Sequence, residues 1–147
     1  MLSVGQKFVK ETVETVLSDP KYKDNTLVIL TWDEGGGFYD HVPPPAVWDP
    51  HGAIDDKGLH TNSETAGPGW MRLGTRIPVL AIGKFARKNE VSHVPMEHSS
   101  IVKFLEWNFL GGKTGQLQGR ESQVNNIGSL LDPDLKVPEK DAVPHER

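Results

Sequence analysis

The 147-residue sequence predicts an α/β fold. Three features carry that expectation: a helix-period segment running straight into a short apolar strand, a second apolar strand further on, and a closing helix-period segment ended by paired glycines.

Val4, Phe8, Val9, Val13, Val16 and Leu17 recur at near-helical spacing between Ser3 and Ser18, which puts an apolar stripe on one helix. Ser3 with Gln6 resembles a capping box at its start. Asp19-Pro20 ends it, because proline pushes the preceding residue out of the helical region. Asn25-Thr26 then leads into Leu27, Val28, Ile29 and Leu30, a continuous run expected to be a strand buried on both faces.

Residues 43–75 hold no sustained period of two or 3.6, and prolines, glycines and polar clusters recur throughout, so a long loop is expected between the two clear strands. Arg76 to Ile82 reads as the second strand, with Pro78 fitting a strand start, and Gly83-Lys84 stops it. From Glu97 to Leu110 the residues Ile101, Val102, Phe104, Leu105, Trp107 and Phe109 crowd a second helix, expected to be largely buried with Trp107 in the core and closed by Gly111-Gly112. After Thr114 the chain is polar and glycine-rich, with Leu130-Leu131 the last apolar pair. The domain is expected over residues 1–131, with 132–147 a loosely packed polar tail. Two strands and two helices make a thin core, so the segment reads as part of a larger sheet.

A net charge of −4 with scattered Lys and Arg leaves no electrostatic footprint for nucleic acid or for an anionic membrane surface, so neither is expected as a partner. Without cysteine there are no disulfides and no thiolate metal sites. No apolar run approaches the ~20 residues that span a bilayer. The mixed polar opening lacks the apolar region of a secretory signal, which leaves a chain that stays where it is made or one that lacks its own beginning.

The stretch TWDEGGGFYDHVPPP, residues 31–45, gathers the chemistry. Ligands of open α/β sheets bind beyond the carboxyl ends of strands, where Asp33 and Glu34 fall. At a strand end the chain is already turning, so both carboxylates can reach one point and offer hard oxygen ligands to a divalent cation. The plainer alternative is a capped strand end with solvated acids. Gly36 and Gly37, with Gly35 before them, allow positive φ and amides facing an anion, although plain turns use glycines too. Asp40-His41 adds an imidazole able to bind a phosphoryl oxygen or protonate a leaving group. Pro43, Pro44 and Pro45 stiffen the exit.

Glu97-His98-Ser99-Ser100 forms a second constellation, at a helix N-terminus whose free amides favour an anion. Simple capping by Ser99 or Ser100 explains it equally well. His60 and His93 read as solvated loop histidines. Trp32, Trp48 and Trp70 surround the presumed site in sequence and can line an apolar part of a pocket.

Taken together, TLVILTWDEGGGFYDHVPPP, GTRIPVLAIG and MEHSS resemble the bacterial, fungal and plant phosphoesterases that include the phospholipases C and an acid phosphatase. The resemblance covers residues 3–131. It implies an alkaline-phosphatase-like fold, a mixed sheet flanked by helices, and metal-assisted hydrolysis of a phosphate-ester small molecule or phospholipid head group. By that likeness Asp33 and Glu34 are divalent-metal ligands. His41, with His98 as a second candidate, contacts the phosphoryl group or leaving oxygen, and Asp40, Gly36, Gly37, Glu97 and Ser99 line the substrate.

Two departures stand out. Gly35 occupies a place where the family usually has histidine, and the family's N-terminal Glu-Asn-Arg-Ser-Phe-Asp-like motif, which supplies further metal ligands, is absent. The chain therefore reads as the C-terminal part of such an enzyme, with an N-terminal complement as its partner; members of the family are often exported. The alternatives are a catalytically inert metal- or phosphate-binding module, and a calcium module using Asp33, Glu34 and Asp40.

Overall fold

The structure is a computed structural model that describes residues 2–49, 53–54, 60–61, 69–117 and 119–134. Its described residues divide into two compact units: those within 2–32, 78–92 and 130–134 form the first, and those within 33–77 and 93–129 the second.

The first unit opens with helix α1, Leu2–Ser18. The helix already includes Ser3, so that serine lies in the first turn and not ahead of it. Val9, Val13, Val16 and Leu17 are half-buried along one stripe, while Val4 and Phe8 stay exposed. Lys10 pairs with Glu14 at 2.7 Å one turn on, worth about 0.3–0.5 kcal/mol at such an exposed position. Past the helix the Asp19 carboxylate accepts the Lys21 N–H at 2.8 Å and turns the chain towards the sheet.

Strand β1, Leu27–Thr31, pairs antiparallel with a later strand, Val79–Gly83, from Leu27 opposite Gly83 to Thr31 opposite Val79. The later strand starts just after Pro78, as a residue without an N–H requires, and the Pro78 carbonyl accepts the Thr31 hydroxyl at 3.0 Å. Both strands are half-buried, with Leu80 exposed, and not buried on both faces as expected. The physical reason is that the sheet has two strands among the described residues, so each strand keeps an open edge. Residues 130–132 close the unit: Arg87 N–H donates to the Leu130 carbonyl and Asp132 N–H to the Phe85 carbonyl, both at 2.9 Å, over the buried Ala86. The polar tail beyond Asp134 lies outside the described residues.

In the second unit the expected long loop contains four short strands. β2, Ala46–Asp49, pairs antiparallel with β5, Gly69–Arg72, and between them β3, Ala53–Ile54, pairs with β4, His60–Thr61. The strand Val79–Gly83 is accordingly β6. Leu73 N–H to the Pro45 carbonyl at 3.1 Å extends the β2–β5 ladder by one step.

Helix α2, His98–Phe109, occupies the expected place but is turned the other way. Its buried residues are Ser100 and Glu106, whereas Leu105, Trp107 and Phe109 are 47%, 41% and 67% exposed. Trp107 is therefore no core residue; it stacks on Phe104 at 6.4 Å on the open side. The polar face is inward because it organises the following loop. Glu106 accepts the Gly115 and Gln116 N–H groups at 2.8 and 2.9 Å, and Lys103 donates to the Val124 carbonyl at 2.8 Å. Two short 3₁₀ turns follow, Arg120–Ser122 and Ile127–Leu130, with Glu121 and Ile127 buried.

Candidate functional site

The loop after β1 is a tight turn. Phe38 N–H donates to the Gly35 carbonyl at 3.2 Å, and Gly36 and Gly37 carry φ of 68° and 73°, the two positive values of a type I′ turn. Gly36 and Gly37 thus have a conformational role that any side chain would strain. Asp33 and Glu34 stand exposed just ahead of the turn, and Phe38 and Tyr39 are exposed just behind it. Gly35 lies against Thr75: a Cβ built on it would fall 2.1 Å from the Thr75 hydroxyl oxygen.

Asp40 is held by Arg76. The guanidinium donates from Nε to Oδ2 at 2.7 Å and from Nη2 to Oδ1 at 2.9 Å, a bidentate fork, and the Arg76 backbone N–H adds a bond at 3.3 Å. Val42 N–H donates to Oδ1 at 3.1 Å, closing a turn around His41. The Arg76 hydrogen bonds first, then that from Val42, hold the Asp40 carboxyl well below the usual carboxylate range. His41 itself is 84% exposed, with Nδ1 3.7 Å from Asp40 Oδ1. Arg72 steadies the proline exit by donating to the Pro44 carbonyl at 2.9 Å.

At the second constellation Glu97, not a serine, is the N-cap of α2, and it forms a capping box with Ser100. Ser100 Oγ accepts the Glu97 N–H at 3.0 Å. The Glu97 carboxylate also takes the Ser99 hydroxyl and the Arg120 guanidinium, and Arg120 reaches the Trp48 carbonyl as well. Glu97 and Ser99 thus spend their polar atoms on one another and on Arg120, while His98 and His93 are exposed. Trp32 and Trp48 are partly exposed; the side chains of His60 and Trp70 lie outside the described residues.

Among the described residues no three His, Asp or Glu side chains come together as a metal-binding group. Asp33 and Glu34 supply two hard oxygen donors, and a divalent ion of that class takes about six. They fit as part of a ligand set. Arg76 and Arg120 were not legible in the sequence: their partners lie 36 and 23 residues away, and nothing local marks them.

The family model described as the Phosphoesterase family matches residues 1–110. The chain belongs to the phosphoesterase family. Within it, the chain is 41% identical over 110 residues to non-specific phospholipase C1 of Arabidopsis thaliana, covering 68% of this chain and 19% of that protein. It is 32% identical over 157 residues to hemolytic phospholipase C of Pseudomonas aeruginosa, covering 95% and 21%. Phospholipase C B of Mycobacterium tuberculosis is 27% identical over 157 residues, covering 97% and 30%. This phosphoesterase chain thus spans about a fifth of the length of the first two relatives. No solved structure matches it.

Proposed function

We propose that this chain forms the acid-and-imidazole part of a hydrolase acting on phosphate esters, of the phospholipase C or acid phosphatase type, in an alkaline-phosphatase-like domain. The observation that carries this reading is the family match over residues 1–110, which takes in a tight turn with exposed Asp33 and Glu34 just before it and exposed His41 shortly after it. Asp33 and Glu34 would hold a divalent ion, whose chemistry is to polarise a phosphoryl oxygen and offset developing charge. On this reading His41, open to solvent, would bind a phosphoryl oxygen or protonate the leaving oxygen, with His98 as a second imidazole. The substrate is a phosphate-ester small molecule or a phospholipid head group, in keeping with the printed names of the relatives. The remaining metal ligands belong to an N-terminal complement.

Aryl phosphate and phosphatidylcholine hydrolysis by this chain joined to the rest of a phosphoesterase domain, with and without added divalent metal, tests the reading. Metal-dependent turnover that Asp33→Ala abolishes is expected; an unchanged rate in that variant would refute the ligand assignment.

A second reading is an inert metal- or phosphate-binding module. It is favoured by the lack of a three-ligand group among the described residues. It expects only weak metal binding by calorimetry, near ~1 mM, and no turnover even in the joined protein.

A further inference from the structure

We infer that Arg76 is a positioning residue of the candidate site, acting through Asp40 to set where His41 stands; this rests on the role given to His41 above. A carboxylate offers about four lone-pair positions. Asp40 uses four donors: three from Arg76 and one from Val42. It has no capacity left for a metal ion or a substrate hydroxyl while the clamp is closed, and a bare carboxylate would repel a phosphate group. Asp40 is thus a positioning residue and not a substrate contact.

What the clamp fixes is the backbone on both sides of His41. Val42 N–H closes onto the Asp40 side chain, and the rigid guanidinium fork ties that closed turn to the segment leading into β6. The imidazole is 84% exposed and has little packing of its own, so its location follows from the backbone. Thr75, next to Arg76, is in contact range of Gly35 at the other end of the loop. One dipeptide, Thr75-Arg76, therefore seats both ends of the stretch from Gly35 to Val42.

The test is nuclear magnetic resonance on the 147-residue chain, reading amide hydrogen exchange at Val42 and the His41 imidazole shift during titration with inorganic phosphate. Arg76→Gln and Asp40→Asn should each speed Val42 exchange several-fold and weaken the His41 response to phosphate by a similar factor. The double variant should be no worse than either single change. Arg76→Lys, which keeps the charge and loses the fork, should recover only part of the effect, and it serves as the milder variant if Arg76→Gln does not fold. Amides of β1 and β6 should be unaffected. Unchanged Val42 exchange in Arg76→Gln would overturn the inference. So would loss of phosphate response in Asp40→Asn without loss in Arg76→Gln, because Asp40 would then touch the ligand directly. A wild-type His41 that ignores phosphate while Val42 exchange still rises in Arg76→Gln upholds the clamp and overturns instead the phosphate role of His41.

Discussion

Replacing Gly35 by alanine puts two opposed effects on one atom, and their balance can be worked out. A Cβ at this position would lie 2.1 Å from Thr75 Oγ1 and 3.2 Å from Thr75 Cβ. The first distance is impossible, but Thr75 is exposed and one rotamer step turns a hydrogen towards position 35. The second contact then requires the two segments to part by a few tenths of an ångström. Overpacking of this kind costs about 1–3 kcal/mol. Against it, Gly35 is not among the glycines with positive φ, so alanine adopts its backbone freely and stabilises by about 0.4–1 kcal/mol through the unfolded chain. The net expectation for Gly35→Ala is a loss of about 1.3 kcal/mol, the difference between the midpoints of those ranges. In a Thr75→Gly background both obstructing atoms are gone, and the same substitution should become stabilising. Urea unfolding of the four proteins, followed by tryptophan fluorescence and circular dichroism, reads both signs. Gly35→Ala as stable as the parent, or a loss that persists in the Thr75→Gly background, would refute the close-approach argument. Histidine at position 35 would carry the same Cβ and meet the same two Thr75 atoms.

Glu106→Gln turns an amide NH₂ towards one of the two loop N–H groups that the 6%-exposed carboxylate accepts, and should cost about 1.5–3 kcal/mol in thermal unfolding. Because Arg76 lowers the Asp40 carboxyl, the clamp contributes stability that is present above the unfolded aspartate value, about 3.9, and is lost as pH falls below it. Val42 exchange, corrected for its intrinsic rate, should rise below about pH 4, and Asp40→Asn should remove that dependence. Phe109→Ala should shift the stability of this chain by no more than about 0.5 kcal/mol. When the chain is joined to the rest of a phosphoesterase domain the cost should be about 3–5 kcal/mol, and equal small effects in both would show that the α2 face is not covered.

The elements that were legible from the sequence are those whose pattern is local. α1 and α2 carry a 3.6-residue period, and Leu27–Leu30 and the run around Val79–Ile82 are continuous apolar stretches, so all four sit within a few residues of expectation. The pairs β2–β5 and β3–β4 escape because strands of two to four residues are too short to show a period of two. The cap of α2 escapes for another reason: the acid precedes the serine, the reverse of the usual serine-first signature. In the site, Asp33, Glu34 and His41 share one stretch of chain and are readable together. Their supports, Arg76 on Asp40 and Arg120 on Glu97, are contacts through space between segments with no common pattern.

The direction in which α2 faces follows from an ordering of energies. Burying Glu106 demands hydrogen-bond partners, and the Gly115 and Gln116 amides provide them within the second unit. Burying Leu105 and Phe109 demands an apolar surface, worth about 1.5–3 kcal/mol for each side chain, and the described residues leave both exposed. Val4 and Phe8 of α1 are in the same position. An open apolar face on α2 is a shortfall of area, and for the divalent ion proposed above two carboxylates with no third ligand group among the described residues are a shortfall of coordination number. On the proposed reading a single addition meets both: a joined segment that lays apolar cover on the helices and brings further ligands to the metal ion beside Asp33 and Glu34; the first two phospholipase relatives are about five times as long as the part matched here. Turnover is therefore expected of the joined protein, to which this chain would contribute the turn, the two carboxylates and the clamped histidine.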